Sequence, residues 1–185
     1  MSNSYAQPVL RTPDLSEAMS AVERLLGIAD PRCLEVDFGV RLSTARTYAA
    51  VAAVLPAVDW WAAGGQGGSS ERGDDPTACL PVWVQKWAGT PDMVAPFLEA
   101  IGDSPASVRW DFDAWPEVPE LGLDIGGIRG AFVMLCAHAR DLELDEPADD
   151  HTVFVHVKQT EARRAPWLAA QAGLTVIGDL VMAPC

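Results

Sequence analysis

Residues 90–112, TPDMVAPFLEAIGDSPASVRWDF, repeat the layout of residues 12–38, TPDLSEAMSAVERLLGIADPRCLEVDF, which begin 78 positions earlier. Both stretches start with Thr-Pro-Asp and continue with apolar residues at helical spacing, a glycine, and a turn that contains proline. Both end in a strand in which apolar and polar residues alternate. The shared order predicts a helix followed by a half-buried strand in each copy, and it indicates internal duplication.

A strand is expected before each of these helices, and a third, looser copy of the unit is expected at residues 151–182. The other predicted elements are an extended segment at 8–11, strands at 34–42, 82–87, 108–112, 153–157 and 174–182, helices at 43–55 and 160–172, and one or two strands within 121–144. The predicted fold class is therefore α+β, with about three strand-helix-strand units in a mixed or antiparallel sheet and helices packed on one face.

The first helix carries recognisable signals at both ends. Asp14 is expected to cap it, with Glu17 three residues later to complete a capping box. Arg24 falls in the last turn, and Gly27 stands where a left-handed residue often ends a helix.

The segment 64–78 is rich in glycine, serine and charge, and is interpreted as a flexible linker or loop. A phosphate-binding loop is disfavoured there because the GK[ST] ending is absent. The predicted organisation is a first α/β unit at 1–63, this linker, and second and third units at 79–185 that can pack as one domain. The short run 126–130 is expected to form a tight hairpin.

Composition narrows the classes of function. The chain has 185 residues with 13 Lys+Arg against 26 Asp+Glu, a net charge of −13, which would repel a phosphate backbone and argues against nucleic-acid binding. The N-terminus has no signal-peptide pattern, and the longest apolar stretch is shorter than the about 20 residues that cross a bilayer. A cytoplasmic location without membrane contact is predicted, and the four cysteines, which include no CxxC pair, are interpreted as reduced thiols.

Catalytic and metal-binding signatures are incomplete. The three histidines all lie in the last quarter of the chain, and Cys136, His138 and Glu143 are the only suggestion of a metal site. No G-x-S-x-G motif is present, and the sequence supplies no set of nucleophile, base and orienting group. We therefore predict no catalytic residue, no metal and no cofactor, and the sequence favours a binding protein over an enzyme without deciding the matter.

Two stretches resemble the glyoxalase/bleomycin-resistance superfamily, also called the vicinal-oxygen-chelate superfamily. Residues 8–27, PVLRTPDLSEAMSAVERLLG, are similar to its first strand and helix, and residues 151–178 are similar to its later strand, helix and Ala-Gly turn. The resemblance implies paired strand-helix modules. In the non-catalytic branch of that superfamily, it also implies an acidic protein that holds a bulky cationic drug in a Trp-lined cleft.

The predicted cleft lies in the second copy, where aromatic and acidic residues concentrate on neighbouring strands. Indole faces and carboxylates together suit an organic cation or an Arg-rich surface. Asp37 occupies the equivalent place to Asp111 in the first copy, and the acidic run 141–150 is expected to stay open and hydrated. The predicted ligand-binding residues are Trp83, Trp87, Trp110, Asp111 and Asp113.

The predicted function is accordingly a non-catalytic protein that sequesters a cationic small molecule. One alternative is an acidic protein of the immunity or inhibitor type that caps a basic partner protein. A second alternative is a lyase or dioxygenase-like enzyme of the same superfamily. Association into a homodimer is left open.

Overall fold

The computed structural model describes residues 4–32, 34–125 and 131–183, and within these ranges nine strands form one antiparallel sheet. The strands are β1 (Ser4–Thr12), β2 (Glu35–Leu42), β3 (Asp59–Ala62), β4 (Gly67–Ser69), β5 (Val82–Gly89), β6 (Ala106–Asp111), β7 (Phe132–Ala137), β8 (His151–Lys158) and β9 (Val181–Met182). Their order across the sheet is β4-β3-β5-β2-β6-β7-β8-β1-β9. Of the two sheet types predicted, the antiparallel one is present.

Four α-helices complete the described part of the molecule, and the α+β class predicted from the sequence is confirmed. They are α1 (Leu15–Leu26), α2 (Ala45–Val54), α3 (Val94–Ala100) and α4 (Arg164–Gln171). Helix α1 contacts β1, β7, β8 and α4, whereas α2 contacts β2 and α3. No helix in the described ranges is both long enough and apolar enough to cross a membrane.

Alternation along the strands separates two apolar clusters. In the main cluster, strand residues such as Val36 and Val108 are buried together with Val22 of α1 and Phe97 of α3. The rings of Phe38 and Phe97 meet edge to face with centroids 5.0 Å apart. The smaller cluster joins side chains of strands β1, β7 and β8 with the loop that follows β7 and with the residue after β9. It consists of Ala6, Cys136, Ala139, Leu142, Leu144, Phe154 and Ala183.

The start of α1 is capped as predicted, but its other details differ. The carboxylate of Asp14 accepts hydrogen bonds from the backbone N–H groups of Ser16 and Glu17. The Glu17 carboxylate accepts from the Thr12 hydroxyl instead of closing a capping box. The prediction that Gly27 is left-handed was wrong: its φ is −65° because right-handed turns continue the chain beyond the helix.

Four predicted elements differ in how they begin or how far they extend. Both later helices begin with a 3₁₀ turn, Pro91–Met93 before α3 and Gln159–Glu161 shortly before α4. Ser43 is the predicted cap of the helix at 43–55, but α2 is capped by Thr44, whose hydroxyl accepts from the N–H of Thr47. The strand predicted at 174–182 is reduced to β9, because the residues before it make hydrogen bonds to Pro8 and Gln7 of β1 as an irregular segment.

The Gly/Ser-rich segment 64–78 contributes to the sheet. It contains β4, which pairs with β3, and the Asp74 carboxylate accepts hydrogen bonds from the Ser69 N–H and from Arg72. Strands from residues 1–63 and from residues 79–185 lie side by side in the same sheet. The hairpin expected at 126–130 lies outside the described residues.

Arg164 is a fully buried cation that ties α4 to the loop before β7. Its guanidinium donates to the backbone carbonyls of Pro116 and Asp124 and pairs with the Glu161 carboxylate at 2.9 Å. We expect Arg164→Leu to lower the free energy of unfolding by about 3 to 5 kcal/mol, because buried acceptors lose their donors. Urea denaturation measures the change.

Arg163→Leu, at the exposed neighbouring position, serves as the matched control and should change stability by less than about 0.5 kcal/mol. Equal effects of the two substitutions would contradict the structural role given to Arg164.

Candidate functional site

A groove of about 450 Å³ lies against the sheet face that carries Asp37, Trp83 and Arg109. These side chains have the opposite parity to those of the main cluster. Its walls are formed by indoles and by the loop after β7, against whose buried leucines Trp83 packs, and β2, β6, β7 and β8 provide the floor. The lining residues are Asp37, Phe38, Gly39, Trp61, Trp83, Gln85, Trp87, Ser107, Arg109, Phe132, Met134, Leu142, Glu143 and His156.

Three tryptophans form the indole wall. Trp61 of β3 and Trp83 of β5 are direct cross-strand partners, and their rings stack at 6.3 Å with an angle of 23°. Trp61 remains 41% exposed and Trp87 52% exposed. A Cβ at Gly39 would lie only 2.8 Å from Ser107 Oγ, whereas its 3.5 Å distance from the Trp83 indole would be an ordinary contact. Glycine at this position therefore makes room for the Ser107 hydroxyl beside the indole.

Asp37 is a half-buried carboxylate in the groove. Its Oδ1 accepts the N–H of Ala88 at 2.9 Å, at a point where the pairing of β2 with β5 shifts register and Ala88 adopts a φ of +49°. Burial raises the pKa of Asp37, while the Ala88 hydrogen bond opposes the rise. No ion pair joins Asp37 to another residue within the described part of the chain.

Arg109 of β6 places a positive charge on the floor of the groove, and Asp111 pairs with it. Its guanidinium pairs with Asp111 at 2.8 Å and lies over the ring of Phe132, 4.0 Å from the ring centroid. Its Nε is buried and has no hydrogen-bond partner among the described residues. Arg109 is also the cross-strand partner of Asp37, and its charge acts to lower the pKa of Asp37, but no salt bridge joins the two side chains in the described chain.

His156 is buried beneath the same aromatic ring. Its imidazole is 2% exposed and lies 3.8 Å from the Phe132 centroid, and neither ring nitrogen has a hydrogen-bond partner in the ranges that the structure covers. Burial lowers the pKa of His156 well below its usual value, and the charge of Arg109 lowers it further. The imidazole is therefore neutral at physiological pH.

The acidic run 141–150 is folded, contrary to the expectation of an open loop. Leu142 and Leu144 are buried in the smaller cluster. Two of the carboxylates are neutralised by ion pairs, Asp145 with Arg41 and Asp150 with Arg140. Asp141 instead accepts the N–H groups of residues 145 and 146. In the described residues the carboxylates without ion pairs in this run are Asp141, Glu143, Glu146 and Asp149, and of these Glu143 lines the groove.

The structure brings some of the five predicted site residues to the groove and places others elsewhere. Trp83 and Trp87 line it, whereas Asp111 is outside the lining and pairs with Arg109, which lines the groove. Trp110 is 3% exposed and packs in the main cluster. Asp113 follows the end of β6 and pairs with Arg32 at 3.1 Å, outside the groove lining.

Sequence reasoning did not single out four groove residues: Trp61, Arg109, Phe132 and His156. The register of the strands places them in the groove, because Trp61 pairs with Trp83 and Phe132 pairs with His156 across neighbouring strands. Local patterns do not fix this register, because β4 lies between β3 and β5 in the sequence and the acidic loop lies between β7 and β8.

The metal site suggested by Cys136, His138 and Glu143 does not form. Within the described ranges no group of three or more His, Cys, Asp or Glu side chains could hold a metal ion. Cys136 is buried, which raises the pKa of its thiol. The His138 N–H donates to Nδ1 of His151 at 3.2 Å, and the two rings meet edge to face.

Comparison with known proteins assigns no relative to this chain. No protein-family model matches the sequence, and no curated protein or solved structure matches it either.

Two buried histidines predict a specific pH dependence of stability. Burial lowers the pKa of both His151 and His156, whereas each titrates near pH 6.5 when unfolded. As the pH falls below about 6.5, the unfolded chain binds protons that the folded chain does not, so stability falls by up to about 1.4 kcal/mol per pH unit for each histidine. Urea denaturation between about pH 5 and 7.5 measures this slope, above the range in which normal carboxyls titrate.

His156→Leu should make the dependence of stability on pH less steep by up to about 1.4 kcal/mol per pH unit, the contribution of one proton. The reason is that the variant has no imidazole at this position to protonate on unfolding. Identical slopes for the wild type and the variant would show that His156 does not resist protonation in the folded state.

Proposed function

We propose that this chain is a non-catalytic binding protein that holds a cationic group in the groove, with Asp37 as the counter-charge. The observation that carries the proposal is a half-buried carboxylate without an ion-pair partner in the described chain, next to three indoles. A partly desolvated carboxylate is stabilised when a cation reaches it. Binding of a cation would therefore relieve the desolvation of Asp37.

The indole wall suits the same ligand. A cation over an indole face gains roughly 0.5 to 2 kcal/mol, more as it is desolvated, and tryptophan is the most effective aromatic residue for this contact. The groove volume of about 450 Å³ falls within the range of roughly 300 to 1,000 Å³ found for small-molecule sites. Glu143, on the loop after β7, adds a second carboxylate to the lining.

The groove side chains do not make a nucleophilic centre. His156 makes no hydrogen bond to Ser107 or to another described residue, so a serine–histidine pair is not assembled. Its position beneath Phe132 also removes it from solvent. These features support binding rather than catalysis.

The arrangement of helices on the sheet is part of the same proposal. We infer about three strand-helix-strand units whose helices cover one face of the sheet and leave the other face for a ligand, as the resemblance to the glyoxalase/bleomycin-resistance superfamily implies. The two apolar clusters support this division, since the main one contains the helix residues and the smaller one contains the loop after β7.

Asp37→Asn tests the counter-charge directly, because it keeps the shape of the side chain and removes its charge. We expect the wild type to bind n-butylguanidinium saturably, as followed by tryptophan fluorescence, and the variant to bind at least tenfold more weakly, which equals about 1.4 kcal/mol. The neutral analogue n-butylurea should produce no saturable change in either protein.

Glu23→Gln, an equal charge change on the exposed surface of α1, is the matched control and should leave the affinity unchanged. The proposed function fails if n-butylguanidinium does not bind saturably or if Asp37→Asn binds it as tightly as the wild type.

A further inference from the structure

We propose that the group held by the groove is an arginine side chain presented by a basic partner protein. This inference rests on the proposed function and narrows it, since it names both the kind of cation and its carrier. Three features of the described residues carry it: the stacked indoles, the exposed tryptophans at the rim, and the distribution of carboxylates.

The stacked indoles favour a planar cation. Trp61 and Trp83 lie within 23° of parallel, so the wall presents flat faces rather than a closed cage. A guanidinium is planar, stacks on aromatic faces and can bind a carboxylate through two parallel hydrogen bonds. A lysine ammonium is a compact and strongly hydrated point charge that gains less from such a wall. Asp37 lies beside this wall and supplies the carboxylate.

The exposed tryptophans favour a protein as the carrier. Trp61 and Trp87 keep 41% and 52% of their surface exposed, and a small molecule inside the groove would leave their outer faces in water. Two other exposed apolar residues, Val181 and Met182, lie on β9 at the other end of the sheet from β3, so they are not part of this rim. Tryptophan and arginine are the residues that most often dominate binding energy at protein interfaces. A partner protein covers about 800 Å² and would bury such a rim.

The carboxylates define the charge of the partner. Glu146 and Asp149 are exposed on the loop that forms one wall, and neither has an ion pair in the described chain; Glu143 on the same loop lines the groove. The whole chain carries a net charge of −13. Complementary charge accelerates association and rejects acidic surfaces. These features fit a basic, arginine-bearing surface.

Peptides of equal charge separate the arginine-specific claim from general electrostatic attraction. We expect labelled nona-arginine to bind the wild type at least tenfold more tightly than nona-lysine at about 150 mM salt, a concentration that screens long-range attraction, as measured by fluorescence anisotropy. Trp87→Ala should reduce this preference to less than threefold. Ile177→Ala, another exposed apolar position, should leave it unchanged.

The rate at which nona-arginine associates tests the role of the carboxylates on the loop after β7. Glu146→Gln with Asp149→Asn should slow the association of nona-arginine at least threefold, whereas Glu23→Gln with Glu71→Gln, which removes the same number of charges elsewhere, should slow it less. Equal slowing by both pairs would contradict the position given to the docking surface.

Two outcomes overturn this inference while leaving the proposed function intact. One is equal affinity for nona-arginine and nona-lysine, together with Asp37-dependent binding of n-butylguanidinium. The other is that a single blocked arginine, acetyl-arginine methylamide, binds as tightly as nona-arginine, which would assign the groove to a small ligand. Loss of n-butylguanidinium binding itself would instead remove the proposed function.

Discussion

The period-two alternation of β2 is the constraint on which the rest of the molecule depends. One set of its side chains, which includes Val36 and Val40, is packed in the main cluster, so the other set must face the groove. That second set contains Asp37 and Gly39, a charge and a missing side chain, and neither can build an apolar layer. Because β2 lies between β5 and β6, its composition prevents dense packing at this part of the sheet. The groove follows from that constraint, and the indole of Trp83 occupies the space above Gly39.

The charged side chains of the groove differ in how far ion pairs neutralise them. Arg109 pairs with Asp111 and rests on Phe132, and its charge still acts on Asp37 and His156. Asp37 has only a backbone N–H as its partner among the described residues, and burial raises its pKa. The carboxylates of the loop after β7 repel one another, but two ion pairs and two buried leucines keep the loop folded against the sheet. The result is an aromatic groove with residual negative charge, which is the electrostatic basis of the proposed cation binding.

Local features of the fold could be predicted from the sequence, and long-range features could not. The Asp14 cap and the alternation of β2 depend on neighbouring residues, and both are present. The helical state of Gly27 depends on the turn that follows it, and the position of β9 depends on contacts with β1. For the site, parity alone could not tell which of two strand faces would be core. Trp83 therefore lines the groove whereas Trp110 is buried, and the role of Trp61 emerges only from its pairing with Trp83.

Asp37 is the proposed counter-charge of a bound cation, and its carboxyl carbon can report on this role by NMR. A pH titration of that resonance, with and without n-butylguanidinium, measures its pKa in both states. In the free protein we expect the pKa of Asp37 to lie above its ordinary value because of burial. A bound cation stabilises the ionised form, so saturating n-butylguanidinium should lower this pKa, and n-butylurea should not. A pKa that is the same with and without the cation would contradict the account.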